Sequence, residues 1–140
     1  MGVTETPIPP AVADFLRDPN FAVIGTVDGR GRPHTAATWY LFDDGRILVN
    51  MDESRVRLGH MRRDPHVALT VIGRDDPYRQ VTLIGRVVDV RDDSALEDID
   101  RLSLRYLEKP YANRDRRSVS AWIAPERWYG WTGGRPWAGE

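Results

Sequence analysis

Cysteine is absent from this chain. Disulfides, a thiolate nucleophile and Cys-ligated zinc or iron–sulfur centres are therefore excluded. Lysine is nearly absent as well: of the twenty basic residues, only Lys109 is not an arginine. Arginine presents forked donors that match phosphate and carboxylate. Neither charge is in excess, with 20 Lys and Arg against 21 Asp and Glu, a net charge of −1 and an isoelectric point near 6.3. Without a basic surplus to neutralise a phosphate backbone, nucleic acid is not the expected partner. No apolar run approaches the roughly 20 residues of a membrane helix, so no membrane partner is expected either. Met1–Pro10 lacks a basic segment followed by an apolar one, so no signal peptide is expected and the cytoplasm is the default location.

Familiar catalytic signatures are missing too. There is no Gly-x-Ser-x-Gly elbow and no Walker phosphate loop, and Gly29-x-Gly31 lacks the third glycine of a dinucleotide fingerprint. His34, His60 and His66 do not form an H-E-x-x-H pair, and no metal site is expected. Asp75-Asp76 and Asp92-Asp93 read as turn and cap residues.

What is present suits one globular domain over residues 1–140: 41% hydrophobic and 29% charged residues. A chain of this length buries roughly two-thirds of its unfolded surface. That leaves little room for a wide cofactor pocket, so completion by a second subunit is expected.

Residues 1–9 are proline-rich and read as a loose arm. A short helix begins at Pro10, with Ala11, Val12, Phe15 and Leu16 on its apolar face. The period then changes to that of strands, at Phe21–Val27, His34–Phe42 and Arg46–Met51, joined by an Asp28–Pro33 turn cluster and the Asp43-Asp44-Gly45 hairpin turn as a meander. A helix over Ser54–Arg63, capped by Ser54 and stopped at Asp64-Pro65, precedes strands at His66–Ile72 and Tyr78–Val90. Gly85 marks a bulge or sharp curl in the second of these, which would help close a barrel. Ser94-x-x-Glu97 predicts a capping box opening the longest helix, Ser94–Glu108. A last strand, Arg116–Ala124, leads into a tail rich in Trp and Gly. Six antiparallel strands with three interposed helices predict a mainly β fold, a closed or nearly closed barrel.

One segment carries chemistry: Asn50-Met51-Asp52-Glu53-Ser54-Arg55-Val56-Arg57, from strand end into helix start. Cations are unfavourable at a helix N-terminus, where unpaired N–H groups already present partial positive charge. An anion seated there reverses the cost. Two readings stand at this point: Arg55 and Arg57 hold a phosphate, or they pair with Asp52 and Glu53.

The chain resembles the pyridoxamine 5′-phosphate oxidase-like superfamily of FMN-binding split barrels, and within it the deazaflavin-dependent oxidoreductases that bind coenzyme F420. The resemblance runs from about Phe21 to Trp131. It is carried by Phe21–Val27, Gly31-Arg32-Pro33-His34 leading to Trp39, Ser54-Arg55-Val56-Arg57, Arg62–Leu69, Gly85-Arg86-Val87 and Trp128-Tyr129-Gly130-Trp131. It implies a six-stranded, Greek-key-like split barrel that forms a homodimer with cofactor sites along the interface. Arg55 and Arg57, with Ser54, would hold the cofactor phosphate. Val49, Asn50, Met51 and Asp52 would run beside the ring, and Trp39 and Tyr78 would border the ring or substrate space, against core packing for Trp39 and a surface loop for Tyr78. The cofactor would be F420, with FMN as the alternative, and the reaction hydride transfer to a small organic acceptor. A non-catalytic flavin-, F420- or tetrapyrrole-binding protein is the other implied class. The family often has Asn three residues after the second cation, where this chain has His60. Arg62-Arg63 would reach an acidic cofactor tail or simply suit the helix dipole. His34 and Tyr78 are the proton-donor candidates, and Trp122, Trp128, Trp131 and Trp137 are expected in dimer packing.

Overall fold

The computed structural model describes Thr4–Glu5, as backbone, and residues 7–137. In chain order the elements are β1 (Thr4–Glu5), α1 (Pro10–Arg17), β2 (Phe21–Val27), β3 (Pro33–Thr38), β4 (Leu41–Asp43), β5 (Arg46–Asp52), α2 (Val56–Arg63), β6 (His66–Ile72), β7 (Gln80–Asp92), α3 (Glu97–Leu107), β8 (Ser118–Thr132) and β9 (Arg135–Pro136). All pairings are antiparallel, in the order β3-β2-β6-β7-β8-β5-β4, with β1 and β9 added to β8.

This order forces the sheet to curl. Its edge strands, β3 and β4, are joined by Trp39 and Tyr40 alone. Three Cα–Cα steps reach at most about 11 Å, whereas the edges of a flat seven-stranded sheet lie about 29 Å apart. The fold is therefore a barrel split at one place. The single strand expected over His34–Phe42 is two strands on opposite edges, so the expected meander is broken at Trp39–Tyr40. Tyr40 anchors the crossing: it is fully buried, and its hydroxyl lies 2.8 Å from the Leu16 carbonyl and 3.0 Å from that of Asp18.

Alternation along β2, β6 and β7 sends Ala22, Ile24, Val67, Leu69, Val71, Val81 and Leu83 inward. They meet Ile47, Val49 and Met51 of β5, while Val12, Phe15 and Leu16 of α1 join the same core. A smaller cluster forms where Leu96, Ile99 and Leu102 of α3 pack against Trp39, Leu41 and Tyr111.

Other expectations change in detail. Gly85 does mark a register shift, and β8 passes so close there that an added Cβ would collide with the Ala124 carbonyl oxygen. Pro125 is tolerated inside β8 at that irregularity, so the last strand runs on to Thr132 through what was expected to be a tail. Trp128 is fully buried in the core. Within the expected loose arm, Thr4–Glu5 pairs with Trp128 and Arg127 and Pro9 is buried; residues 1–3 and 6 lie outside the described residues. The Ser94–Glu97 capping box does not form. Instead α3 starts at Glu97, and the buried Asp93 carboxylate accepts from the Asp98 and Ile99 N–H groups, each at 3.0 Å.

Candidate functional site

The split opens a cleft. Pairing of β4 to β5 ends at Leu41–Leu48, so among the described residues the β4 side of β5 has no strand neighbour from Val49 to Asp52. A cleft of about 360 Å³ lies in this gap, lined by Ala37, Thr38 and Trp39 on one side and by Asn50, Met51 and Asp52 on the other. That volume lies within the usual range for small-molecule sites.

At the end of β5 the chain turns sharply into α2. Asp52 Oδ1 accepts from the backbone N–H and the hydroxyl of Ser54, at 2.9 and 2.7 Å, and its Oδ2 accepts from the Arg117 N–H at 3.1 Å. These bonds hold the Asp52 pKa down to about 2. They also occupy Ser54, so it does not cap α2. The cap position is Arg55, whose side chain makes no capping bond, and there is no acid in the first turn.

Ion pairing does not explain Arg55 and Arg57. Asp52 is taken up by N–H and hydroxyl donors, and Glu53 lies 3.7 Å from Arg117. Among the described residues no carboxylate comes within ion-pair distance of Arg55, Arg57 or Arg116. Arg57 is half-buried, and its pKa is lowered by burial and then by the neighbouring guanidiniums of Arg55 and Arg116. All three line the cleft. Cations gathered without an ion-pair partner fit an anionic ligand group such as a phosphate.

The α3 side supplies residues that sequence patterns alone did not single out. Trp39 stacks on Tyr106 with centroids 5.3 Å apart and planes 7° from parallel, and meets Tyr111 edge-on at 6.0 Å. The Tyr106 hydroxyl donates to the Asn20 carbonyl at 2.7 Å, and burial raises its pKa. Trp39 thus belongs both to the packing of α3 and to the cleft wall. Arg116 lies over the Tyr111 ring at 4.9 Å and donates from Nη2 to Asn50 Oδ1 at 2.7 Å. Asn50 is itself locked, donating to Asp93 Oδ2 at 3.2 Å and to Ser120 Oγ at 3.1 Å. Tyr106 lies at helical spacing from Ile99 and Leu102 along α3. Arg116 carries no motif, and its proximity to the Arg55–Arg57 pair arises from β8 pairing with β5.

A second, smaller pocket of about 260 Å³ shares Arg55 and Arg57 with the first and adds Thr26, His34 and His60. His60 Nδ1 lies 2.8 Å from Thr26 Oγ1, the His34 and His60 rings are 4.7 Å apart, and His34 Nε2 lies 2.8 Å from Asp28 Oδ2.

Of the expected site residues, Trp39, Asn50, Met51, Asp52, Arg55 and Arg57 come together at the cleft. Val49 is buried in the barrel core. Tyr78 is 79% exposed in the loop before β7 and does not line the cleft. Arg62 and Arg63 do not line either pocket, and Arg63 donates to the Asp28 carbonyl at 2.6 Å.

Known proteins agree with this architecture. A solved F420 reductase superposes with a TM-score of 0.77 at 26% identity, covering 86% of this chain and 98% of its own. A conserved hypothetical protein from Mycobacterium tuberculosis gives a TM-score of 0.72 at 23% identity, over 91% and 86% of the two chains. General Stress Protein 26 from Bacillus anthracis gives 0.66 at 18%, over 85% and 89%; these last two share the fold. No curated protein matches the chain by sequence. The family model described as pyridoxamine 5′-phosphate oxidase matches residues 8–132. That span takes in the split strand, the cleft and the three arginines that face it, and on it the chain belongs to the pyridoxamine 5′-phosphate oxidase family, a family of flavin-binding, oxidoreductase-like proteins.

Proposed function

We propose that the protein is an F420-dependent oxidoreductase that transfers a hydride between the deazaflavin and a small organic acceptor, working as a homodimer. The observation that carries this reading is the Arg55–Arg57 pair at the start of α2, facing the cleft with no carboxylate partner among the described residues. The 26% identity to an F420 reductase favours the deazaflavin over FMN.

Arg55 and Arg57 would hold the cofactor phosphate, helped by the first-turn N–H groups of α2. The β5 edge from Asn50 to Asp52 would border its ring, and Trp39 the acceptor space. When bound, the cofactor supplies the hydride chemistry. The chain's own residues then have three tasks: to fix the ring, to shape the acceptor space and to keep water out. Tyr78, exposed and outside the cleft, is poorly placed to donate a proton, whereas His34 at least borders the adjoining pocket. A second subunit would cover the large apolar side chains exposed at the pocket rims, Phe21 at 58% and Val56 at 71%.

Titration of the purified protein with F420 and with FMN tests the assignment. Binding of F420, abolished in Arg55→Ala/Arg57→Ala, is expected. Tight FMN binding with no F420 binding rejects it in favour of a flavin enzyme. Binding without oxidation of the reduced cofactor by a broad set of acceptors rejects catalysis and leaves a carrier.

A further inference from the structure

We propose that Arg116 is the specificity determinant for the acceptor, and that the acceptor is a planar conjugated acid whose carboxylate Arg116 receives. The proposal rests on the cleft being the acceptor space of the oxidoreductase described above.

Arg116 differs from the Arg55–Arg57 pair in where it faces. The pair borders both pockets, whereas Arg116 borders only the larger cleft, beside Tyr111, Tyr106 and Trp39. These rings form an aromatic wall, and Ile99 and Leu102 add apolar surface. Such a surface recognises a flat π-system by stacking and apolar contact.

Arg116 is also held in place before any ligand arrives. Its Nη2 is bound to Asn50, which is fixed in turn by Asp93 and Ser120, and Tyr111 supports the guanidinium face. The nearest carboxylate in this chain of bonds, Asp93, is reached only through the Asn50 amide and is occupied by α3 N–H groups and Ser118. Arg116 Nε is buried, with no hydrogen-bond partner among the described residues. A buried, unpaired donor on a charged group is unfavourable. An acceptor oxygen, brought by a ligand through a small shift of the guanidinium, relieves it. A carboxylate suits this position because guanidinium binds it through two parallel bonds. Together, an aromatic and apolar wall and one fixed cation at its edge suit an aromatic or conjugated acid.

The test uses 2-naphthoate and methyl 2-naphthoate as probes, with affinity measured by calorimetry on the wild type, Arg116→Gln, Arg116→Lys and Arg55→Ala/Arg57→Ala. The acid should bind the wild type at least about tenfold more tightly than the ester, as expected for one charge-assisted contact. Arg116→Gln should bring the acid down to the level of the ester and leave the ester unchanged, and Arg116→Lys should recover part of the difference. Arg55→Ala/Arg57→Ala should lose F420 binding yet keep the difference between acid and ester, so failure of the cofactor assignment is read separately from failure of the acid site. Equal binding of acid and ester, an equal loss of both in Arg116→Gln, no binding of either, or loss of the acid only in the Arg55/Arg57 variant would each overturn the proposal.

Discussion

Arg57→Met should make the protein more stable and less able to bind anions. In the folded chain Arg57 is half-buried among Arg55 and Arg116, and its pKa is held below the ordinary guanidinium value by burial first and by those two charges second. The charged form is therefore less favourable folded than unfolded, and this cost operates at every pH below the guanidinium range. Methionine keeps most of the apolar stem and removes the charge. For a partly exposed site the gain is on the order of 0.5–1 kcal/mol, or about 2–4 °C in Tm for a domain of this length. Inorganic phosphate should reverse the ranking. At ten times its Kd it stabilises the wild type by about 1.4 kcal/mol, and the variant should lose most of that increment. The assay is thermal unfolding followed by circular dichroism, with and without phosphate at constant ionic strength. If Arg57→Met is less stable than the wild type without phosphate, or if phosphate raises both melting temperatures equally, the charge at this position is not held for an anion and the reasoning fails.

Asp93→Ala should cost about 2–4 kcal/mol in urea unfolding, because the carboxylate satisfies two N–H groups of α3 and anchors Asn50 and Ser118 in a buried network; a loss below about 1 kcal/mol would mean that the network is dispensable. Stability should be level above about pH 4 and fall as pH drops from there towards about 2. The Asp52 pKa is lowered from 3.8 to about 2 by its bonds to Ser54 and Arg117, so its contribution is complete above the unfolded value and lost through the folded one. Asp52→Asn should flatten that part of the pH–stability curve, and an unchanged curve would refute the assignment.

The β content, the three helices and the bulge at Gly85 were legible in the sequence because each depends on neighbours close in the chain: alternation, Pro and Gly punctuation, and helical spacing at Ile99, Leu102 and Tyr106. The Arg55–Arg57 pair was legible for the same reason, since two cations at a helix start conflict with a local field. What local pattern left open, the pairing of distant strands decided. The strand expected over His34–Phe42 shows no break in its own residues. It splits because its two halves pair with β2 and β5 on opposite edges, and the cleft exists only through that split. That Arg55 and Arg57 are left without an ion pair likewise depended on where Asp52 and Glu53 turned, towards Ser54 and Arg117. Arg116, Asn50 and Asp93 are far apart in sequence and become one network because β8 lies beside β5. Local chemistry is written residue by residue, whereas a cleft forms between segments that meet only after the chain has folded.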